Sequence, residues 1–363
     1  MEGGTVTGEP RDAGVSRRRF LELAGISAAL AACGGTPAAP AATTRASAVA
    51  TAITLGKPEK TSITFGFRLP TLNSQIVPYI AEDKGFLKEV GINEIKVVTT
   101  EQVSAGLIGG GLDFGVDQFS DLADGVAKGL PTRIIGAYQN YTVNMIAVRP
   151  EIKTPKDLEG KDVLLAGTPG SADELKRRGL LKEAGFDLAG VKVNSVAVPG
   201  GSDAWVKLFL DGKLSLTPLF SRHRPAVVAS GARLVVDRFD WGNEAMAATE
   251  SFVKQNPNTV TAFYVAMIKA LRFWKDLSNK DYILKLGEKK GFKITPNVIN
   301  AYELDVRQYD DKGPHDGGFD LKDAQAYLTE VFGAKAPDIK TVLLLGPLNQ
   351  AQRFLGITPR PML

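Results

Sequence analysis

Residues 62–99 read SITFGFRLPTLNSQIVPYIAEDKGFLKEVGINEIKVVT, and their rhythm changes twice. Ile63–Arg68 alternates large apolar residues with small or polar ones, the period of a strand. Asn73–Val90 then sets Ile76, Val77, Ile80, Phe86 and Leu87 at helical spacing, and Gly91 follows as a stop. Ile95–Thr99 returns to strand character. A strand, a helix and a strand in this order predict parallel pairing with the helix covering the sheet.

The alternation continues outward. Gln102–Gly109 reads as a short helix, Phe114–Val116 as a strand and Ser120–Lys128 as a helix. Arg133–Tyr138 and Asn144–Val148 read as strands. The pattern then starts afresh at Thr154–Leu158, with strands expected at Asp162–Ala166, Val193–Val198, Leu214–Phe220 and Leu234–Val236. Helices are expected between them at Asp173–Ala184, Asp203–Leu210 and Arg224–Gly231. After Trp241 the chain reads as mostly helical, with Thr249–Lys275 a long pattern broken at Asn256-Pro257. Further helices are expected at Tyr282–Lys289, Pro296–Tyr302 and Leu321–Phe332. Thr341–Leu345 suits a strand or a buried turn. Two α/β units with a helical return predict two lobes, the second inserted into the first. A ligand would then sit beyond the carboxyl ends of the strands, between the lobes.

The N-terminal segment has a different character. Arg17, Arg18 and Arg19 precede an apolar stretch from about Leu23 to Ala32. At about 10 residues that stretch is too short to span a bilayer, which needs about 20, and it has the plan of an export signal. Ser16-Arg17-Arg18-Arg19-Phe20-Leu21 resembles the twin-arginine signal, with Glu22 where the pattern usually has Lys. Leu30-Ala31-Ala32-Cys33-Gly34 resembles a bacterial lipoprotein box, in which the cysteine is acylated. Cys33 is the only cysteine of the 363 residues. The alternative is a plain cleavable signal with an incidental cysteine. Residues 34–59 are rich in Ala, Thr, Pro and Gly and predict a flexible tether, because so little apolar surface cannot offset ordering entropy.

Composition excludes some classes. A net charge of +4 without a clustered basic face argues against nucleic acid. Hydrophobic content of 44% and charged content of 23% are those of a globular protein. No HExxH, CxxC, GxSxG or Walker-type pattern is present. Asp310-Asp311-Lys312-Gly313 with His315-Asp316 reads as a polar loop and not as a metal site. No metal and no cofactor is expected.

Four segments carry a family resemblance. Tyr79-Ile80-Ala81-Glu82-Asp83-Lys84-Gly85-Phe86-Leu87, Gly110-Gly111-Leu112-Asp113-Phe114-Gly115, Lys153-Thr154-Pro155-Lys156-Asp157-Leu158-Glu159-Gly160-Lys161 and Phe252-Val253-Lys254-Gln255-Asn256-Pro257 stand in that order. They resemble the nitrate, sulfonate, taurine and thiamine-pyrimidine-precursor type of ABC-transporter solute-binding protein. The resemblance runs from about Ser62 to about Gly333. It implies an α/β, two-lobed periplasmic-binding-protein-like fold of type II, each lobe a helix-covered, mainly parallel sheet with the ligand cleft between. It implies a lipid-anchored, monomeric receptor outside the cytoplasmic membrane. The receptor would capture a small anion or a heterocycle by hinge closure and deliver it to an ABC permease. The expected organisation is a signal at 1–32, a tether at 33–59, lobe 1 at 60–149 and 238–345, lobe 2 at 150–237, and a C-terminal tail at 346–363 packing on lobe 1.

Candidate ligand contacts follow the strand ends. Asn73, Ser74 and Gln75 after the first strand either bond a ligand or cap the next helix. Asp117 and Gln118 follow another strand, and Asp117 could bind a ligand amine or remain a solvated carboxylate or cap. Tyr138, Asn140, Tyr141 and Asn144 lie near the expected first crossover, where a tyrosine could stack on a flat ligand or pack in the core. Gly167-Thr168-Pro169-Gly170-Ser171 leads into a helix with a Ser-x-x-Glu capping pattern, and the family places pocket residues such as Thr168, Gly170 and Ser171 here. Gly201 and Ser202 open another helix ahead of Trp205, a residue expected to pack within its lobe. Ser215 and Thr217 stand where the family often has acids, so the solute could differ from the commonest ones. Arg222-His223-Arg224 either favours an anion or is an exposed basic turn. The competing class is an enzyme on the same fold, similar to a pyrimidine-precursor synthase or a desulfinase. Those rely on cysteine or histidine chemistry. Once Cys33 is an anchor, only His223 and His315 remain.

Overall fold

A computed structural model describes residues 54–359 apart from 69–71, 73, 311–315 and 319, and the side chains of 74, 139–142, 239–243 and 308–310 are also outside the description. Cys33, the export signal, Asn73 and His315 therefore lie outside the described residues. Eight strands form one hydrogen-bonded order, β2-β1-β3-β8-β4-β7-β5-β6. They are β1 (Ser62–Phe67), β2 (Glu94–Thr99), β3 (Phe114–Gln118), β4 (Thr132–Val148), β5 (Asp162–Val163), β6 (Asn194–Ser195), β7 (Leu216–Leu219) and β8 (Arg233–Thr249). The outer pairs β1/β2, β1/β3, β5/β6 and β5/β7 are parallel, while β4 and β8 run antiparallel to each other and to β7 and β3 respectively. Helices cover the faces. The fold is the expected α/β two-lobed one.

β4 and β8 join the lobes. Each has 17 residues and traverses both. Ala245 and Ala247 pack with one first-lobe cluster and Met246 and Ala248 with the other. Further along the same pairing, Ile146, Val148 and Val236 pack in one second-lobe cluster and Met145 and Ala147 in another. Along β4 the packing passes from a first-lobe cluster at Tyr138 to second-lobe clusters from Met145, and along β8 from second-lobe packing at Val236 to first-lobe packing from Ala245. The β4–β8 ladder is irregular there, with register shifts at Ala137/Gln139 and Gln139/Tyr141. Bulges interrupt the ladder and bend a strand.

The helical reading after Trp241 is corrected: β8 continues to Thr249 and the next helix starts at Glu250. Ala245–Ala248 are all buried, so both faces of the strand are dry and no polar alternation marks it. Thr341–Leu345 is a buried turn that leads into a bridge. Ile339–Val342 is a helix turn, and Leu343 then bridges Ile134.

Leu55 and Glu59, expected within the tether, pack on the first lobe. Leu55 packs on the main first-lobe cluster, and Glu59 accepts N–H bonds from Asn258 (3.2 Å) and Thr259 (2.8 Å). Those are the free donors at the start of the Pro257–Lys275 helix, so chain and helix are tied at that point. The helix itself lies through the first-lobe core, with Phe263 stacked on Phe114 at 4.1 Å between ring centroids.

The sequence segments that singled themselves out have structural work. A Cβ on Gly66 would meet Leu112 at 2.4 Å and one on Gly115 would meet Val103 at 2.4 Å. Those glycines are register partners, so the Val103–Ile108 helix lies directly on the sheet. Asp113 accepts from Lys60 Nζ (2.6 Å) and Thr64 N–H (2.8 Å), which ties β1 to the chain entering it. Asp83 accepts from Tyr282, and Glu82 pairs with Lys290 at 2.7 Å. Asp157 accepts from the N–H groups of Lys153 and Thr154.

Candidate functional site

A cleft with a volume of about 410 Å³ opens between the lobes. From the first lobe it is lined by Arg68 at the carboxyl end of β1, Gln75, Glu101, Gln118, Asp121 and Glu244. From the second come the Gly167–Ser171 loop, Asp173 and Arg177 on the next helix, the 198–202 loop, Trp205, Phe220 and Arg222. Both walls therefore meet one volume, the arrangement in which a solute can hold two lobes together.

Each guanidinium has a carboxylate. Arg68 lies 2.9 Å from Asp117 and 3.6 Å from Asp121. Arg177 lies 2.5 Å from Asp173 one helical turn away, and it also donates to the Leu165 carbonyl. Arg222 donates to Ser202 Oγ at 2.7 Å and pairs with Asp203 at 3.1 Å. Burial alone would lower the Arg68 pKa, but Asp117 and Asp121 outweigh it and hold the cation firmly charged. Burial raises the Asp117 carboxyl despite Arg68. Asp121 is pushed up to about 7, first by burial and then by Asp117 and Asp173, against the pull of Arg68.

His223 is buried and has both ring nitrogens engaged. Nδ1 accepts the Phe220 N–H at 3.2 Å, and Nε2 lies 2.7 Å from Asp203 Oδ1. This network assigns the Nε2–H tautomer. Burial, then the neighbouring Arg222 charge, lowers its pKa. The ring is held as a neutral structural pin rather than presented to the cleft as a base.

The residues singled out from sequence are distributed unevenly. Gln75, Gln118, Thr168, Ser171, Gly201 and Ser202 line the cleft. Gln75 donates to Glu244 at 2.7 Å. Ser171 caps its helix by accepting the Glu174 N–H, and can still donate into the cleft. Gly170 does not line the cavity: Glu174 takes its N–H at 2.8 Å. Asp117 stands behind the wall, where it positions Arg68 instead of facing a solute. Asn144 lines a small neighbouring hollow of about 30 Å³. Tyr141 and Ser74 have side chains outside the description. Tyr138 is buried against Phe65 at 5.9 Å between centroids, so it packs in the core. Trp205 does both jobs: it donates to the Val198 carbonyl at 2.8 Å and lines the cleft. Of the basic turn, Arg222 faces the cleft and Arg224 pairs with Asp237 at 2.8 Å.

Arg68, Glu101, Asp121, Asp173, Arg177, Phe220 and Glu244 were not found from sequence. Arg68 is the residue after a strand, and the strand-end rule that pointed to Asn73 would have reached it. Glu244 was hidden because the strand was read only over Leu234–Val236, and the chain after Trp241 as mostly helical, whereas β8 runs on to Thr249. No group of three or more His, Cys, Asp or Glu among the described residues could hold a metal ion, and no described helix is long and apolar enough to cross a membrane.

The family model described as NMT1/THI5 like matches residues 73–276, more than half of the chain. The chain belongs to the NMT1/THI5-like family. Curated proteins offer no sequence match. Solved structures do. A protein from Bordetella bronchiseptica RB50 is 19% identical with a TM-score of 0.64, over 83% of this chain and 100% of that one. The periplasmic aliphatic sulphonate binding protein SsuA from Escherichia coli is 15% identical with a TM-score of 0.55, over 78% and 92%. The desulfurization enzyme DszB, solved as a mutant with biphenyl-2-sulfinic acid, is 17% identical with a TM-score of 0.54, over 80% and 99%. At these identities the likeness establishes the fold, which this family member shares with a binding protein and with an enzyme.

Proposed function

We propose that this chain is an extracytoplasmic solute receptor of an ABC importer, acting as a monomer anchored to the membrane through an acyl group on Cys33. The observation that carries the reading is the cleft itself, lined by polar groups of both lobes and spanned by the irregular middle of β4 and β8. A solute that touches both walls favours the closed arrangement by its differential affinity for it. Closure presents a single surface, made from two lobes, for an ABC permease to read. The export and lipoprotein patterns of residues 16–34 support the location at the cell surface or in the periplasm.

Capture is favoured over catalysis by what lines the cleft. No thiol is available once Cys33 is acylated, and the His223 ring is occupied at both nitrogens. Of the two solute classes weighed from sequence, the volume of about 410 Å³ favours a heterocycle or larger molecule over a bare small anion. A desulfinase-like or synthase-like activity is the second reading, and the shared fold of DszB is its only support.

The test is a thermal-shift and scattering screen of the full chain with sulfonates, nitrate, taurine, pyrimidines, flavins, aromatic acids and amines. One class should raise the unfolding midpoint and shrink the radius of gyration together. Stabilisation without compaction would remove the hinge mechanism, absence of both would remove the receptor reading, and turnover of any solute would replace it with an enzyme.

A further inference from the structure

The Pro296–Asp310 helix has two working faces. Tyr302 and Val306 are buried in the main first-lobe cluster, and Tyr302 Oη donates to the Trp274 carbonyl at 2.8 Å. Val298, Ala301 and Asp305 stand at helical spacing on the other face. They line a chamber of about 290 Å³ that adjoins the cleft. The second lobe supplies Phe220, Ser221, Arg222 and His223 to the same chamber. The lobes touch here: Ser221 Oγ lies 3.4 Å from Asp305 Oδ1.

Asp305 is buried, yet among the described residues its hydrogen bond goes to the other lobe and none to its own. The turn that meets it is fastened to the second lobe. His223 Nδ1 accepts the Phe220 N–H, His223 Nε2 and Arg222 both reach Asp203, and Arg222 donates to Ser202. The turn therefore moves with the Gly201–Leu210 helix, and it presents Phe220 and Arg222 to the solute cleft as well. Bringing the lobes together takes the Asp305 carboxyl out of water, and drawing them apart returns it. Burying a carboxyl is costly in its charged form. A single hydroxyl at 3.4 Å is too distant to offset that cost.

We propose that the meeting of Ser221 with Asp305 is a proton-dependent latch between the lobes, held while Asp305 carries its proton and released when it ionises. The proposal rests on the hinge-closure reading above. The charged and titratable groups around Asp305 are Arg222 and His223 on the turn, Asp203 behind it, and Lys293 on the segment that enters the helix. Glu303 and Arg307 stand two residues away on the helix and so do not face it. Arg222 is held by Asp203 at 3.1 Å, and burial and Arg222 favour the neutral His223 ring. Burial pushes the Asp305 carboxyl up to about 7 with the lobes together, against the Ser221 hydrogen bond and the Arg222 charge. With the lobes apart it returns toward its ordinary 3.8. Between about 4 and 7 closure therefore takes up a proton. The ratio of separated to joined lobes rises there by up to about tenfold per pH unit and levels off above about 7.

Double electron–electron resonance on the solute-free full chain decides it. Cys33→Ala removes the native thiol, and spin labels go on Asn300→Cys in the first-lobe helix and Val228→Cys in the second lobe, both exposed and flanking the contact. The labelled parent should show one short distance at about pH 5 and a growing longer population toward about pH 8. Asp305→Asn should keep the short distance throughout. Asp121, whose carboxyl also titrates at about 7 in the cleft, supplies the control: Asp121→Asn should still separate as the pH rises. A parent that holds one distance at every pH overturns the latch, and so does an Asp305→Asn chain that separates as the parent does. Loss of the transition in Asp121→Asn with its survival in Asp305→Asn assigns the proton to Asp121 and overturns it too. Compaction by a solute in the screen above leaves the receptor reading standing in each of these cases.

Discussion

Asp305→Asn should make the protein more stable at pH 8 and change little at pH 4. Asp305 is 6% exposed on the Pro296–Asp310 helix, where it meets Ser221 of the other lobe. Burial lifts its carboxyl from the ordinary 3.8 to about 7, against the hydrogen bond from Ser221 and the charge of Arg222. At about 1.4 kcal/mol per pH unit, ionising it in the folded protein costs about 4 kcal/mol. The sign follows from proton counting. Below about pH 4 folded and unfolded chains are both protonated here and the group is neutral to stability. Between about 4 and 7 the unfolded chain releases this proton and the folded one keeps it, so stability falls as pH rises. Above about 7 the full cost is present. Asparagine has nearly the same shape and never ionises. The urea-unfolding free energies of parent and variant, followed by circular dichroism at pH 4.5, 6 and 8, should therefore diverge by up to about 4 kcal/mol in favour of the variant. Asp117 and Asp121 also titrate high, but they are common to both proteins and cancel in the difference. A difference that stays constant with pH, or that turns against the variant at pH 8, would refute the reasoning. It would mean that Asp305 is ionised and held by Arg222.

Three further outcomes are expected. Gly136→Ala places a Cβ 2.3 Å from Tyr264 Oη and should cost about 1–3 kcal/mol in urea unfolding. Tyr264→Phe should recover part of that and be close to neutral alone, since the buried hydroxyl has no partner among the described residues; a large loss for Tyr264→Phe alone would show that it has one. Glu59→Ala removes the acceptor for two N–H groups at the start of the Pro257–Lys275 helix and should lower stability by about 1 kcal/mol, whereas no change would mean that solvent replaces it freely. Cys33→Ala should abolish incorporation of radioactive palmitate in a bacterial host, and persistent labelling of the variant would sink the anchor.

Much of the fold was legible because it obeys local periodicity. Ile63, Phe65 and Phe67 alternate with residues that face the Val103–Ile108 helix, and Leu321–Phe332 forms a helix over the residues its spacing predicts. The site was legible only where it coincides with the ends of such elements. Gln75, Gln118, Thr168, Ser171, Gly201 and Ser202 follow strands or open helices, and the fold brings those ends to one cleft. The charges that give the cleft its character were not legible. Arg68 and Asp121 lie 53 residues apart, and their pairing and the raised Asp121 carboxyl exist only once β1 is brought beside the helix after β3.

The sequence by itself determined the alternation of strands and helices, the family and the division into lobes, since these follow from side-chain period and from motifs read in order. Tertiary structure decided the course of β8. Glu244–Ala247 lies in a strand flanked by β3 on one side and β4 on the other, although the alanine-rich 245–248 stretch has no strand signature. It also decided the charge of the cleft, because desolvation and ion pairing depend on which groups meet, and distance along the chain says nothing of that.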